Sequence, residues 1–341
     1  MLKVIPVSEA VGSVLCHDVT RIVPGGHKGP AFRKKHIIQQ EDIPELLAIG
    51  KEHIYVLDIE PGYLHEDEAA GRISRAAAGP GIKFTAASEG KVNLVADCSG
   101  LLKVDAEGLL RINLIEGVAL GTLHSNQRVP ADSPVAGTRV IPLVVEEGKI
   151  RQVEEVCRQH HPIIQVKAFH PWKVGMVTTG SEVYHGRIAD TFGPVIRQKF
   201  SELGSDVFAQ VFVSDDPGLT VAAIRRLIAN GADMVVATGG MSVDPDDQTP
   251  GSIRAAGGAV VSYGAPVFPG AMFMLAYIGS VPILGLPGCV MYFRTTIFDL
   301  IVPRLLAGET VARQDIVALG HGGFCSACPE CRYPRCGFGK M

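Results

Sequence analysis

The stretch ATGGMSVDPDDQTP, residues Ala237 to Pro250, follows the apolar run Met234-Val235-Val236 and marks the fold class of this chain. The apolar run predicts a short buried strand, and the two glycines after it predict a turn in which the backbone can approach a ligand closely. The aspartates, serine and threonine that follow carry oxygen atoms of the kind that hold Mg2+ and phosphate. The stretch therefore predicts a ligand-binding loop at the carboxyl end of a strand.

Two other loops of similar chemistry also follow predicted strands. Thr179-Gly180-Ser181-Glu182 comes after the strand predicted at Lys173–Thr178, and Gly285–Cys289 ends the strand predicted at Val281–Leu286. Ligands of open α/β sheets bind outside the carboxyl ends of the strands, so we expect the three loops to line one pocket. The loop Gly285–Cys289 opens onto a predicted helix, whose free N–H groups favour an anion.

Strand and helix patterns alternate from Trp172 onwards. Asp216-Pro217 is typical of a helix start, and Gly204 and Asn230-Gly231 are typical of helix ends. Alternation with short links predicts a three-layer α/β domain, in which a mainly parallel sheet lies between helices. The further predicted elements are a strand at Val207–Val213 and helices at Gly193–Leu203, Asp216–Asn230 and about Met291–Leu306.

The segments before Trp172 have mixed patterns. Residues 1–60 predict a small α+β domain with a helix over Glu41–Ile49, a strand over His53–Leu57 and a turn around Pro24-Gly25-Gly26. Residues 61–165 predict a β-rich domain that contains at least one helix. Its predicted elements are strands at Lys91–Val95 and Leu110–Leu114 and a helix near Glu66–Ala78.

The composition limits the classes of function. The net charge is -3 and no basic tract stands out, so nucleic acid is not a predicted partner. The N-terminal stretch Met1–Leu15 lacks the continuous apolar region of a secretory signal. Ala255–Phe293 contains no charged residue, but its prolines and glycines favour buried strands over a membrane span. These features predict a cytoplasmic protein without a membrane partner.

The cysteines fall into two groups. Four are scattered, whereas the C-terminal run FCSACPECRYPRCGFGK places four others within a dozen residues at C-x2-C-x2-C-x4-C spacing. Without export such a cluster predicts a metal site rather than disulfides, with an iron–sulfur cluster and Zn2+ as the candidates and a flexible tail as the alternative. The predicted ligands are Cys325, Cys328, Cys331 and Cys336. The predicted domains are thus 1–60, 61–165, 166–310 (α/β) and 311–341 (Cys-rich tail).

Five motifs of the α/β segment, in this order, resemble the molybdopterin-binding domain of molybdenum cofactor biosynthesis. They are TTGSE at Thr178–Glu182, GRIADTFGPVI at Gly186–Ile196, SDDP at Ser214–Pro217, TGGMSVDPDDQTP at Thr238–Pro250 and GLPG at Gly285–Gly288. The long N-terminal part makes the layout similar to that of the molybdopterin molybdotransferases. The resemblance implies a homo-oligomeric transferase that binds molybdopterin in its adenylylated form, exchanges AMP for molybdate with Mg2+, and serves a molybdoenzyme.

The resemblance also implies roles for single residues. Asp247 is implied as the main active-site carboxylate, with Asp190 and Glu182 as its partners. The implied cofactor-binding residues are Thr179, Gly180, Ser181, Thr191, Gly239, Gly240, Ser242, Asp246, Thr249, Pro287 and Gly288. The chemistry of these residues agrees, because carboxylates can fix a cation against a pyrophosphate while hydroxyl and N–H groups bind its oxygens. Turn formation at Asp-Pro, helix capping by Asp190 and a solvated Glu182 are the alternative, purely structural roles.

Three departures from the family pattern concern metal insertion. The family's basic KPGKP turn is Val267-Phe268-Pro269-Gly270-Ala271 here, so both lysines are absent. Cys289 and Val290 replace the asparagine and proline expected after GLPG, and the SxMDGYA segment has no counterpart. Loss of the lysines removes positive charge that suits an oxyanion such as molybdate, and favours a non-catalytic pterin carrier or sensor as one alternative.

A second resemblance offers another enzymatic alternative. The competence-damage-inducible family has a similar domain with a G-x-I-x-[DN]-T loop and a DD-x-T loop, which Gly186–Thr191 and Asp246–Thr249 match. This resemblance implies a Mg2+-dependent nucleotide pyrophosphatase.

Overall fold

The computed structural model describes residues 2–22, 28–34, 36–57, 60–242, 244 and 247–340. The chain forms two compact units. The first comprises Met1–Asp97, Val104–Leu123 and Asp132–Gln165, and the second comprises Cys98–Lys103, His124–Ala131 and Val166–Met341. The finer division into four segments stays a prediction, and the turn around Pro24-Gly25-Gly26 lies outside the described residues.

The N-terminal half contains short strands and four α-helices among its described residues. In chain order they are β1 (Leu2–Pro6), β2 (Val19–Ile22), β3 (Lys28–Phe32), α1 (Ile43–Ala48), β4 (His53–Leu57), β5 (Tyr63–His65), α2 (Glu66–Ala77), β6 (Ile82–Phe84), β7 (Lys91–Ala96), β8 (Gly100–Val104), α3 (Ala106–Asn113), β9 (Val118–Thr122), β10 (Arg128–Val129), β11 (Pro134–Val140), β12 (Val144–Glu146), α4 (Glu147–Gln159) and β13 (Ile164–Ala168). Short 3-10 turns cover Val7–Glu9 and Gln40–Asp42.

The C-terminal half alternates strands and helices. In chain order they are β14 (Lys173–Thr179), α5 (Ser181–Tyr184), α6 (Phe192–Ser201), β15 (Asp206–Val213), α7 (Pro217–Ala229), β16 (Met234–Thr238), α8 (Thr249–Ala255), β17 (Ala259–Tyr263), β18 (Met274–Ile278), β19 (Val281–Leu286), α9 (Cys289–Tyr292), α10 (Ile297–Leu306) and α11 (Arg313–Ala318).

The first unit is organised around small antiparallel sheets. β1 pairs with β4 and β2 with β3, over a core that includes Val7, Leu15 and Leu46. A larger sheet has the order β6-β7-β11-β9, and α2 packs against β7, β11 and α4. The predicted helix Glu66–Ala78 and the strands at His53–Leu57 and Lys91–Val95 are confirmed.

The strand predicted at Leu110–Leu114 is wrong, because the chain is helical over α3. Asp105 starts this helix by accepting hydrogen bonds from the backbone N–H groups of Glu107 and Gly108. Ile112 is fully buried, whereas Leu110 and Leu114 are exposed. The alternating apolar residues are therefore a buried isoleucine between two solvent-facing leucines, a spacing that a period of two mistakes for one face of a strand.

The second unit has the predicted three-layer α/β fold. Its sheet has the order β15-β14-β16-β19-β18-β17, in which the first four strands pair in parallel and β18 pairs antiparallel with both β19 and β17. Alternate residues of β16 face opposite sides: Met234 and Val236 pack with Ile301 on one face, while Val235 and Ala237 pack with the α7 side on the other. Every residue of β16 is buried, as expected for a strand covered on both faces.

The predicted local signals in this unit are largely confirmed. Asp216 accepts hydrogen bonds from Gly218 and Leu219 at the start of α7, and Gly204 has a φ of +76° after α6. The uncharged segment 255–293 forms β17, β18 and β19. Among the described residues, no helix is both long enough and apolar enough to cross a membrane.

The single helix predicted at about Met291–Leu306 is wrong, because two helices, α9 and α10, are separated there. Phe293 has extended backbone angles, φ -104° and ψ 133°. Thr296 and Asp299 then form a reciprocal capping box that starts α10. Since a capping box satisfies the first amides of a new helix, it favours restarting the helix over continuing the old one.

The residues after α11 pack against the α/β domain instead of forming a flexible tail. Phe338 is buried in the core, and the Tyr333 hydroxyl donates to the backbone oxygen of Asp299 at 3.1 Å. The backbone of Gly339 lies so close to Leu300 that an added Cβ would be 2.2 Å from its Cδ2 atom. Phe268 also exchanges backbone hydrogen bonds with Gly323 and Cys325.

Two phenylalanines test whether the C-terminal residues stabilise the domain. Phe338 is 5% exposed and Phe324 is 77% exposed. We expect Phe338→Ala to lower the free energy of unfolding by about 3 kcal/mol, because it leaves a cavity, and Phe324→Ala to lower it by less than about 1 kcal/mol. Urea unfolding of both variants measures this. Equal small losses in the two variants would contradict the packing of the C-terminal residues.

Candidate functional site

A cavity of about 520 Å³ lies at the carboxyl ends of β16 and β19. Two of the three predicted loops, those after β16 and β19, meet there and form the site. Its lining residues are Phe192, Gly239, Gly240, Met241, Ser242, Asp247, Phe268, Gly270, Ala271, Met272, Leu286, Pro287, Gly288 and Cys289.

The loop after β16 requires both of its glycines. Gly239 and Gly240 have φ of +84° and +56°. A Cβ on Gly239 would lie 2.2 Å from the backbone oxygen of Thr179, and one on Gly240 would lie 2.8 Å from Oγ1 of Thr249. The Thr249 hydroxyl donates to the Gly239 oxygen at 2.8 Å, and the Thr249 N–H donates to the Gly240 oxygen at 3.1 Å. Thr179 and Thr249 thus hold the backbone of this loop in place.

Backbone N–H groups are the main hydrogen-bond donors that the two loops offer. The N–H groups of Gly240, Met241 and Ser242 donate to no acceptor in the described part of the chain. The same holds, within that part, for Gly288 just before α9. Successive free amides form a concave donor surface for an anion, and a helix start adds a favourable dipole. Because α9 has only four residues, the amides contribute more here than the dipole does.

Asp247 is the one carboxylate among the described residues that line the cavity. It is half-buried, and among the described residues its carboxylate accepts one long hydrogen bond, 3.3 Å, from the Asp244 N–H. Its own N–H donates to the Asp244 oxygen at 2.9 Å. The turn therefore orients the Asp247 carboxylate and leaves most of its hydrogen-bonding capacity for a ligand or a cation. Asp246, the neighbouring predicted ligand, lies outside the described residues.

The rest of the wall is apolar, which the sequence did not predict. Phe192, Met241 and Met272 contribute side chains, and none of the described lining residues is a lysine or an arginine. The turn Val267–Ala271, which replaces the family's basic turn, supplies Phe268, Gly270 and Ala271 to the lining. Cys289 lines the cavity as well, where burial raises the pKa of its thiol. The departures from the family pattern thus lie in the cavity wall itself.

The loop after β14 does not line the cavity but stabilises the loop after β16, which does line it. Thr179 is buried, and its hydroxyl donates to the Thr238 oxygen at 3.3 Å. The Ser181 N–H donates to a carboxylate oxygen of Asp215 at 2.9 Å. Glu182 is exposed at the start of α5. Neither Thr179, Ser181 nor Glu182 belongs to the lining residues.

Asp190 also lies outside the lining and has local partners. Its carboxylate accepts from the N–H groups of Phe192 at 2.9 Å and Gly193 at 3.1 Å, at the start of α6. It also accepts from Nε2 of Gln210 at 2.6 Å. The neighbouring Thr191 hydroxyl contacts the sulfur of Met291 at 3.2 Å. Asp190 therefore fixes the first residues of α6, and with them the position of Phe192 in the cavity wall.

The fit of the predicted metals differs between the two sites. Mg2+ is commonly held by one or two carboxylates together with substrate phosphates, and Asp247 beside the free amides fits that role. The described residues contain no group of three His, Cys, Asp or Glu side chains arranged for a metal, the C-terminal thiols included. Cys325 and Cys336 are half-buried, whereas Cys328 and Cys331 are exposed. The C-terminal metal site stays a prediction from the spacing.

Comparison with protein families identifies the domain that contains the cavity. Residues 175–307 match the family model described as "Probable molybdopterin binding domain", and residues 4–58 match a domain of unknown function, DUF8806. The match falls on the segment that carries the five motifs, and the predicted three-layer α/β fold of this segment is confirmed.

Individual relatives are similar over part of the chain. A CinA-like protein from Mycobacterium sp. (strain MCS) is 38% identical over 77 residues, which are 23% of this chain and 18% of that protein. The molybdopterin biosynthesis enzyme MoaB from Thermus thermophilus is 20% identical, with a TM-score of 0.34 over 40% of this chain and 98% of its own. The tungsten cofactor synthesizing protein MoaB from Pyrococcus furiosus is 24% identical, with a TM-score of 0.34 over 42% of this chain and 98% of its own.

The roles of Asp190 and Glu182 can be distinguished by the stability of their alanine variants. Asp190→Ala removes the acceptor of two helix-start N–H groups, so we expect it to lower the free energy of unfolding by about 1 kcal/mol. Glu182→Ala, at an exposed position, should change it by less than about 0.5 kcal/mol. Denaturant unfolding of both variants measures the difference. If Asp190→Ala unfolds like the wild type but loses ligand binding, the local structural role assigned to Asp190 is wrong.

The C-terminal cysteines can be tested by metal analysis. We expect anaerobically purified protein to contain about one zinc ion or one iron–sulfur cluster per chain, because four thiolates at this spacing are metal ligands. Elemental analysis and the visible absorption spectrum distinguish the two metals. Cys98→Ser is the matched control, since Cys98 lies outside the C-terminal run, whereas Cys328→Ser should lower the metal content. Metal-free protein with four free C-terminal thiols would contradict the prediction.

Proposed function

We propose that the α/β domain binds molybdopterin, in its adenylylated form, in the cavity between Gly239 and Gly288, and that the protein acts in molybdenum cofactor biosynthesis. The observation that carries the proposal is the meeting of two glycine loops around the Asp247 carboxylate, with N–H groups that have no acceptor among the described residues. The family match over residues 175–307 supports the choice of ligand.

The anionic end of the ligand would bind to the two loops. A pyrophosphate carries several acceptor oxygens and negative charges, and the free N–H groups of Gly240, Met241 and Gly288 can donate to them. The Ser242 hydroxyl adds a donor at the exposed end of the loop. Because both glycines have positive φ, the backbone can approach the phosphate without a side chain between them.

The apolar wall suits the ring system of the ligand. Phe192 and Phe268 line the cavity together with Met272. Aromatic and thioether side chains pack well against a flat heterocycle. A ligand with a planar ring at one end and phosphate at the other would therefore match both parts of the lining.

The enzymatic form of the proposal is exchange of AMP for molybdate. Mg2+, bound beside Asp247, would neutralise charge on the pyrophosphate, so that water could attack one phosphorus and AMP could leave with the oxygen of the broken P–O bond. Asp247 would orient that cation, and the loop amides would hold the phosphate oxygens in place. The side chains that line the cavity in the described part include no cation for molybdate, so the transferase activity is the finer and more demanding part of the proposal.

Two alternatives each have a specific observation in their favour. The apolar lining without lysine or arginine favours a carrier or sensor that binds the pterin without turnover and passes it to a molybdoenzyme. The 38% identity over 77 residues to a CinA-like protein supports the resemblance to the competence-damage-inducible family, which implies a Mg2+-dependent nucleotide pyrophosphatase.

Asp247→Asn tests the catalytic role. In the presence of adenylylated molybdopterin, molybdate and Mg2+, we expect this variant to release AMP at least about 100-fold more slowly than the wild type, because its neutral amide holds Mg2+ poorly. Pterin binding should change by less than about three-fold, since backbone amides hold the phosphate. Asp206→Asn, on β15 outside the cavity lining, is the matched control.

The outcomes separate the three functions. AMP release that is undiminished in Asp247→Asn would contradict the role of this carboxylate. AMP release from ADP-ribose, without pterin binding, would replace the proposal with the pyrophosphatase. Tight pterin binding without turnover would select the carrier. Ala271→Phe should fill the cavity and weaken pterin binding, so unchanged pterin binding in this variant would place the ligand elsewhere.

A further inference from the structure

A second cavity, of about 510 Å³, lies beside α6 in the second unit. No residue is common to its lining and that of the first cavity. The lining comes from β10, α6 and the residue that follows it, the end of α9, the segment between α9 and α10, the start of α10, and the C-terminal residues. It consists of Arg128, Val195, Gln198, Lys199, Glu202, Met291, Tyr292, Phe293, Arg294, Thr295, Asp299 and Tyr333.

Basic side chains distinguish this cavity from the first. Lys199 is paired, because its ammonium group lies 3.0 Å from both carboxylate oxygens of Asp299 and donates to the Arg294 backbone oxygen at 2.8 Å. The guanidinium groups of Arg128 and Arg294 have no ion pair and no hydrogen bond with the described part of the chain. Two arginine side chains at one cavity therefore have all their donors available.

The acidic lining residues do not neutralise these arginines. Asp299 is paired with Lys199, and its carboxylate also accepts from the Thr296 N–H at 2.8 Å. Glu202 is exposed and accepts from the side chain of Gln198 at 3.1 Å. Burial raises the pKa of Asp299, while the positive charges of Lys199 and, more weakly, Arg128 oppose that rise.

The other side chains limit what can enter. The Tyr333 hydroxyl donates to the Asp299 backbone oxygen, and the Thr295 hydroxyl lies 3.3 Å from the sulfur of Cys331. Both groups are engaged in holding the C-terminal residues against the cavity wall. The rings of Tyr292 and Phe293 are 80% and 48% exposed, so they offer an aromatic surface beside Arg294. The cavity volume exceeds that of a bare tetrahedral oxyanion.

We infer that this cavity is a second anion site, in which Arg128 and Arg294 hold a tetrahedral oxyanion, either free or as the phosphate of a monoester. Guanidinium groups match phosphate geometry with two parallel N–H donors, and two of them balance a dianion. The exposed aromatic rings suit the planar base of a nucleoside monophosphate. The inference does not rest on pterin binding, since it involves none of the residues of the first cavity.

Titration calorimetry of the full chain with inorganic phosphate, molybdate or AMP tests the site. We expect saturable binding of at least one of these anions, which Arg128→Gln and Arg294→Gln each weaken by at least about ten-fold through the loss of charge-assisted hydrogen bonds. Arg226→Gln is the matched control, because Arg226 is exposed on α7 away from the cavity, and it should change the affinity by less than about two-fold. Circular dichroism checks that each variant is folded.

Variants in the first cavity separate the two sites. Phosphate binding that survives Ala271→Phe and is weakened by Arg294→Gln supports the inference, whatever the result with pterin. AMP binding that is tighter than phosphate binding identifies a monoester as the ligand, and equal affinities identify the free oxyanion. The inference is overturned if none of the three anions binds, or if the arginine variants bind as tightly as the wild type.

Discussion

The close approach of the β16 loop to the end of β14 is the constraint on which the site depends. Gly239 lies so near the Thr179 backbone oxygen that no side chain fits between them. Thr249 binds the same loop from the other side through its hydroxyl and its N–H group. The two hydrogen bonds that Thr249 donates are accepted by backbone oxygens of the loop. The N–H groups of the loop therefore remain available to the cavity. The residues after β14 thus contribute to the site as a support rather than as ligands.

Much of the fold follows from local sequence signals, because each signal agrees with its surroundings. Alternating strands and helices, Asp216-Pro217 and the glycines at strand ends all predict the same parallel sheet, and the structure contains it. The strand predicted at Leu110–Leu114 failed because Leu110, Ile112 and Leu114 alternate along the sequence, although only Ile112 of the three is buried. Exposure depends on the rest of the fold, and a window of a few residues does not contain that information.

Predicting the site was harder than predicting the fold, since it required side-chain positions. Glycine loops and Asp247 could be found because parallel strands bring their carboxyl ends to one edge of the sheet. Asp190 carries the same chemistry, yet its carboxylate binds Phe192, Gly193 and Gln210 locally. The apolar wall could not be derived from spacing, because Phe192 and Phe268 are brought together only by tertiary packing. The one available signal was the loss of lysines in Val267–Ala271.

The two cavities share two helices, α6 and α9. The predicted helix from Met291 to Leu306 is interrupted beside the second cavity. Phe192 in the first cavity and Lys199 in the second lie seven residues apart on α6, about two helical turns. Cys289 and Met291 divide α9 in the same way. A continuous helix from Met291 would bond the backbone oxygen of Arg294 within the helix. The break before Thr296 instead leaves that oxygen to Lys199, and the Arg294 side chain has no protein partner among the described residues. The helix is thus interrupted at the residue whose charged side chain is unpaired among the described residues. Such a departure from regular local structure is typical of a functional site.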